Sequence, residues 1–171
     1  MELVTKQIFL RKFKLQDLND FFEYSSQPGI FEMSGNVSHK TIEEAQSFFS
    51  KLISNDNCLA IVWKENQKII GHISIKDDSE ENRSDTKELG FVLNRNYHQR
   101  GIMREVINVV LADLFSKDIT YVWACCFQEN IPSRKLIEKC GFRFVKEGTY
   151  YSPSLKKIFE TYEYCIKSLN L

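Results

Sequence analysis

Arg100 and Gly101 lie within the stretch YHQRGIMREV, Tyr97 to Val106, where a basic glycine-containing turn opens an amphipathic pattern reaching Phe115. An apolar run, Leu89-Gly-Phe-Val-Leu93, precedes it, so the order is strand, turn, helix. A helix start carries N–H groups without intrahelical partners and a partial positive charge. Gly101 lets the backbone approach an anion closely, and Arg100 adds charge. The chemistry implied is the cradling of a pyrophosphate. An ordinary strand-to-helix turn with a solvated arginine would use the same residues, and both readings stand at this point. The stretch is not a Walker A loop, because Gly-Lys-Ser/Thr is missing. It also lacks the three spaced glycines of a dinucleotide fingerprint.

The elements that must position this turn are readable from periodicity and punctuation. Gln7 to Phe13 reads as a strand, and Leu15, Leu18, Phe21 and Phe22 have helical spacing before Pro28-Gly29. Thr41-Ile-Glu-Glu44 has the form of a capping box, which predicts a helix to about Ser54 that buries Ile42, Ala45, Phe48, Phe49 and Leu52. Cys58 to Lys64 and Ile69 to Asp77 flank a turn and predict an antiparallel hairpin. A polar loop with Asp77, Asp78, Glu80 and Glu81 follows, offset by Arg83 and Lys87. Lys87 to Leu93 is the strand that feeds the turn. The next helix turns Met103, Val106, Ile107, Val110, Leu111 and Leu114 to one side. Tyr121 to Phe127 reads as a strand buried on both faces. Asn130-Ile-Pro-Ser133 starts a last helix, and Gly141 suits its C-terminal cap. Phe142 to Thr149 and Phe159 to Lys167 close the chain as paired strands.

The 171 residues suit one domain spanning 1–171, and 43% hydrophobic with 27% charged content suits a soluble globular chain. Lys+Arg 23 against Asp+Glu 23 gives no global attraction to nucleic acid or to an anionic membrane, so neither is expected as a partner. No apolar run is long enough to span a bilayer. The odd number of cysteines, at 58, 125, 126, 140 and 165, suggests reduced, buried thiols in a cytoplasmic protein. No Cys/His spacing resembles a metal site.

Two motifs then carry a resemblance that covers nearly the whole chain. YHQRGIM, and NIPSRKLIEKCGF from Asn130 to Phe142, resemble the GNAT acetyltransferases, as does the order β-α-α-β-β-β-α-β-α-β-β. Leu10-Arg11, Lys87-Glu-Leu-Gly-Phe91 and Arg104-Glu105 are similar to the RimJ/RimL type, which includes ribosomal-protein N-terminal acetyltransferases. The fold implied is α+β: a mixed sheet of about seven strands, splayed between the fourth and fifth, with about four flanking helices. His98 departs from the family's Gln or Arg, and Met103 from its Gly or Ala. Ile137 stands where many relatives carry a tyrosine that protonates the leaving thiolate.

The resemblance implies transfer of acetyl from acetyl-CoA to a primary amine, without a covalent enzyme intermediate. Backbone groups of Phe91, Val92 and Leu93 would orient the pantetheine arm. Backbone N–H groups of His98, Gln99, Arg100, Gly101, Ile102, Met103 and Arg104 would hold the pyrophosphate. Asn130 and Ser133 would contact the pantetheine from the other side. At pH 7 an α-amine with pKa about 8 needs about 1.4 kcal/mol to lose its proton, against about 4.6 kcal/mol for a lysine-type amine. Glu88 is the expected general base, with a surface glutamate as the equal alternative, and Glu105 is a second carboxylate. Ser133 could protonate the thiolate or serve only as a cap. Phe31, Met33, Trp63 and His72 are candidates for the acceptor pocket, with core packing as the competing role. His39 is expected to be solvent-exposed, and Cys140 to pack. The acceptor would be a protein N-terminus or a small amine, no metal is required, and the protein would be a monomer or homodimer. A non-catalytic acyl-CoA sensor and a ligand-free interaction domain remain as alternatives.

Overall fold

The structure, a computed structural model, describes residues 2–78 and 83–168. The acidic-loop residues Glu80 and Glu81 therefore lie outside the described residues. Eight strands take the order β1-β2-β3-β4-β5-β6-β8-β7 in a mixed sheet. They are β1 (Leu3–Val4), β2 (Ile8–Arg11), β3 (Cys58–Trp63), β4 (Ile69–Asp77), β5 (Thr86–Leu93), β6 (Tyr121–Phe127), β7 (Arg143–Ser152) and β8 (Lys157–Lys167). Among the described residues four α-helices accompany them: α1 (Leu18–Ser25), α2 (Ile42–Ile53), α3 (Ile102–Phe115) and α4 (Ile131–Lys139). The chain forms two compact units, Met1–Ser74 with Phe91–Ile102, and Ile75–Gly90 with Met103–Leu171.

The first unit is built on antiparallel pairs. β2 pairs with β3, and β3 with β4, with a register shift between Ile61 and Val62. Its core is aromatic: Phe13, Phe21, Tyr24, Phe31 and Phe49 are buried together. T-shaped contacts such as Phe13–Phe49, at 5.6 Å, add geometric preference to area burial. Arg11 forms a buried two-pronged ion pair with Asp17 at 2.7 and 2.9 Å. Each charge loses water there and is matched by both arms of its partner.

Several local expectations change. Leu15 belongs to a short 3-10 turn and is 82% exposed, because the α-helix starts only at Leu18. Thr41 caps α2 by accepting from the Glu44 N–H at 3.3 Å, but the Glu44 carboxylate accepts from Lys40 N–H at 2.7 Å. The reciprocal bond thus falls one residue earlier than in a standard capping box. His39 is half-buried between the rings of Phe21, Phe31 and Phe48, not out in solvent. Desolvation there pushes its pKa below the usual value, against the pull of Glu44.

In the second unit β5 pairs parallel with β6, running from Thr86↔Tyr121 to Leu89↔Ala124. β6 then pairs antiparallel with β8, and β8 with β7. All six apolar α3 residues named above are buried, as the helical spacing requires. β6 is buried along one face, whereas its other face is covered only at Phe127. Val122, Ala124 and Cys126 are covered, whereas Tyr121 and Trp123 are half-buried and Cys125 is exposed. The apolar run is aromatic and thiol on its open side, which misled the sequence pattern. The five cysteines are free: three buried, Cys165 intermediate and Cys125 exposed. Among the described residues no helix is long and apolar enough to cross a membrane, and no group of three His, Cys, Asp or Glu could hold a metal ion.

Candidate active site

The turn that Gly101 marks is made in two steps. β5 ends at Leu93, and a 3-10 turn at Arg95–Tyr97 redirects the chain. Gln99 then takes φ 60° and Gly101 φ 75°, both left-handed. No heavy atom lies within 4 Å of where a Gly101 side chain would begin, so the glycine is required by conformation and leaves open space beside the backbone. His98, Gln99, Arg100 and Gly101 are exposed, while Ile102 and Met103 are buried and hold down the start of α3. Arg100 lies over the Tyr97 ring at 5.2 Å, and Arg104 is exposed one turn on. The first N–H groups of α3 have no helix carbonyl within reach.

His98 behaves differently from its neighbours. Its N–H donates to Arg95 O at 3.1 Å, so the amides open to an anion begin at Gln99. Its ring Nε2 meets Leu93 O at 2.9 Å, a contact that requires the proton on Nε2 and occupies that carbonyl. Phe91 and Leu93 are half-buried and Val92 is buried. A side chain at Gly71 would begin 2.3 Å from Val92 O and 3.0 Å from Leu93 Cα. Gly71 therefore admits the close approach of β5, a requirement that one glycine inside an apolar strand does not announce.

Asn94, which the sequence reading did not single out, follows β5 directly before this turn. It is 1% exposed. Its Oδ1 accepts from Asn96 N–H and from Gln27 Nε2, both at 2.9 Å, and its Nδ2 donates to Glu23 at 3.0 Å. Lys68 and then Asn94, against burial, hold the Glu23 carboxyl below the usual range. Gln27 completes the link by accepting from Arg95 N–H at 2.9 Å. An Asn just after a strand was the available signal, since Asn commonly bonds its own backbone two residues on.

Of the four acceptor-pocket candidates, Phe31 and His72 come together, with ring centroids 6.3 Å apart. His72 Nδ1 also meets Tyr24 OH at 2.9 Å. Burial pushes His72 down to about 4, so the ring is neutral near pH 7 and packs beside the aromatic core that holds Phe31. Trp63 packs on Tyr97, with centroids 5.6 Å apart, next to the turn. Met33 is 41% exposed on a separate 3-10 turn.

In the second unit, Glu88 is half-buried on β5 and registers with Trp123 of β6. Glu105 is half-buried in the first turn of α3. Asn130 caps α4 by accepting from Ser133 N–H at 3.2 Å, with Pro132 in the first turn. Ser133 is half-buried. Gly141 ends the helix at φ 91°. Ile137 is fully buried, so no proton donor projects from that position. Burial raises the Cys140 thiol pKa despite the charge of Arg104, which suits a packing role.

Comparison with known proteins accounts for this layout. The sequence profile described as an acetyltransferase (GNAT) domain matches residues 7–143. The uncharacterized N-acetyltransferase YnaD of Bacillus subtilis is 28% identical, over 97% of this chain and 96% of its own. A GNAT-family acetyltransferase from Bacillus anthracis superposes with a TM-score of 0.83 at 23% identity, covering 98% of both chains. The ribosomal-protein-S5-alanine acetyltransferase of Vibrio fischeri gives 0.76 at 18% identity, over 99% of this chain and 98% of that one. The microcin C7 self-immunity acetyltransferase MccE, solved with acetyl-CoA and AMP, gives 0.78 at 19% identity, over 96% and 94%. Together with the strand order and the turn before α3, the match over 7–143 makes this chain a member of the GNAT acetyltransferase family.

Proposed function

We propose that the protein moves acetyl from acetyl-CoA directly to a primary amine, and that it is of the RimJ/RimL type, with a peptide N-terminus as the preferred acceptor over a small amine. The observation that carries this reading is the exposed left-handed turn at Gln99 and Gly101, directly before the buried first residues of α3. Amides from Gln99 to Arg104 face the pyrophosphate, a use that a helix start and an open glycine both favour. The complex of MccE with acetyl-CoA supports the same ligand class here. The S5-alanine acetyltransferase supports an N-terminal amine.

In the reaction the neutral amine nitrogen attacks the thioester carbonyl carbon. The carbon–sulfur bond breaks, and the thiolate leaves on coenzyme A. Glu88 accepts the amine proton through water, a smaller task for an α-amine than for a lysine. Ser133 hydrogen-bonds the departing sulfur. Phe91, Val92 and Leu93 align the pantetheine arm, Asn130 keeps the α4 start in shape, and His72 with Phe31 shapes the acceptor side. A second reading, an acyl-CoA sensor, is favoured by the buried Ile137 in place of a tyrosine acid.

The test is a panel of N-terminal peptides and small amines with acetyl-CoA, followed by thiol release. Turnover of any peptide supports the reading. Tight coenzyme binding without turnover of any amine selects the sensor, and no binding at millimolar coenzyme rejects both. A Glu88→Gln variant with an unchanged rate would remove Glu88 as the base.

A further inference from the structure

Asn94 stands where β5 stops and the chain turns toward the exposed amides. Each of its polar groups has at least one partner. Its backbone N–H donates to Ile70 O at 2.7 Å, and its carbonyl accepts from Tyr97 N–H at 3.0 Å. Its side chain joins Asn96, Gln27 and Glu23 as described. Gln27 holds Arg95 N–H in turn, and the Arg95 guanidinium bonds Pro28 O. Four successive residues, 94 to 97, are thus fixed from both sides, partly by the end of α1 and the residues after it. The next residues, Gln99 and Gly101, hold left-handed angles that a loose chain would leave.

We propose that Asn94 is a positioning residue for coenzyme binding. Through Gln27 and Glu23 it fixes the entry of the turn, so the amides after His98 are ordered before a ligand arrives. Ordering in advance removes an entropic cost from binding. The proposal rests on the coenzyme reading of that turn.

Asn94→Asp places a carboxylate against Glu23, turning a donor–acceptor pair into like charges. Adding Glu23→Gln restores the pair, because the new amide donates to the new carboxylate. Calorimetric titration with coenzyme A, well below each melting temperature, is the first readout. Hydrogen exchange of amides 98–102 without ligand is the second. The single variant is expected to bind about tenfold more weakly and to lose protection there, and the double variant to recover both. A purely structural role would lower the melting temperature and leave affinity in the folded protein unchanged. Affinity within about twofold of wild type in folded Asn94→Asp, or unrecovered affinity in the double variant, overturns the proposal. Should Asn94→Asp not fold, Gln27→Ala cuts the bonds of Gln27 to Asn94 and to Arg95 N–H, leaves Asn94 in place, and is judged by the same two readouts. Wild-type protein that binds no coenzyme A rejects the coenzyme reading itself and this role with it, an outcome distinct from a variant that binds as well as wild type.

Discussion

Two asparagines open turns in the two units, Asn94 in the first and Asn130 in the second, and they are held in contrasting ways. Asn130 accepts from the N–H three residues on, and Gly141 closes its helix with a positive φ. Asn94 likewise accepts from an N–H two residues on, and its turn also ends at a positive-φ glycine. Asn94, however, also bonds Gln27 and Glu23, which lie 67 and 71 positions away. The α4 turn is a local motif that any chain segment could make. The turn before α3 is a local motif locked by distant side chains in a buried setting. The same residue type is a cap in one place and a tertiary joint in the other.

The strongest test removes the joint. Asn94→Ala removes a buried amide and its three side-chain hydrogen bonds, to half-buried Gln27 and to Glu23 and Asn96 at the surface, and should cost up to about 3 kcal/mol in urea unfolding. Equal losses for Asn94→Ala and Asn130→Ala would erase the contrast drawn here.

Acid should separate the two units next. All three histidines, at 39, 72 and 98, belong to the first. Burial holds His72 at about 4 in the folded state, against 6.5 when exposed. Between those values the unfolded chain takes up a proton that the folded chain refuses. The stability from His72 is therefore complete above 6.5 and lost as pH falls through 4, up to about 3 kcal/mol. Amide protection in the first unit should fall over that window, and His72→Gln should flatten the dependence.

Glycines give a finer comparison. Gly71→Ala drives a methyl into Val92 O and should cost about 2 kcal/mol while shifting Phe91 to Leu93. Gly101→Ala meets no atom, so only its positive φ opposes it, at about 1 kcal/mol by thermal unfolding. Its effect on coenzyme affinity should exceed its effect on stability. Asn130→Ala should show the smallest stability loss, about 0.5 kcal/mol, as a cap exchanged for water.

Short-range rules account for what was legible. The β3–β4 hairpin, the Thr41 cap, the buried stripe of α3 and the Asn130-to-Gly141 helix each depend on residues within a few positions. Leu15 misled because its spacing fitted a helix that starts three residues later. His39 misled because polar neighbours in sequence hid aromatic neighbours in space. The open face of β6 looked buried because aromatic and thiol side chains tolerate half-exposure.

The sequence by itself determined the order of the main elements, the Thr41 and Asn130 caps and the glycine turn before α3, since propensity, capping and periodicity act over a turn or two. Only the tertiary structure decided that Asn94 would fix that turn, that Gly71 would yield space to Val92, and that His72 would be held neutral beside Tyr24. Those outcomes depend on which distant groups are brought within about 3 Å and shut off from water, and no local pattern specifies that.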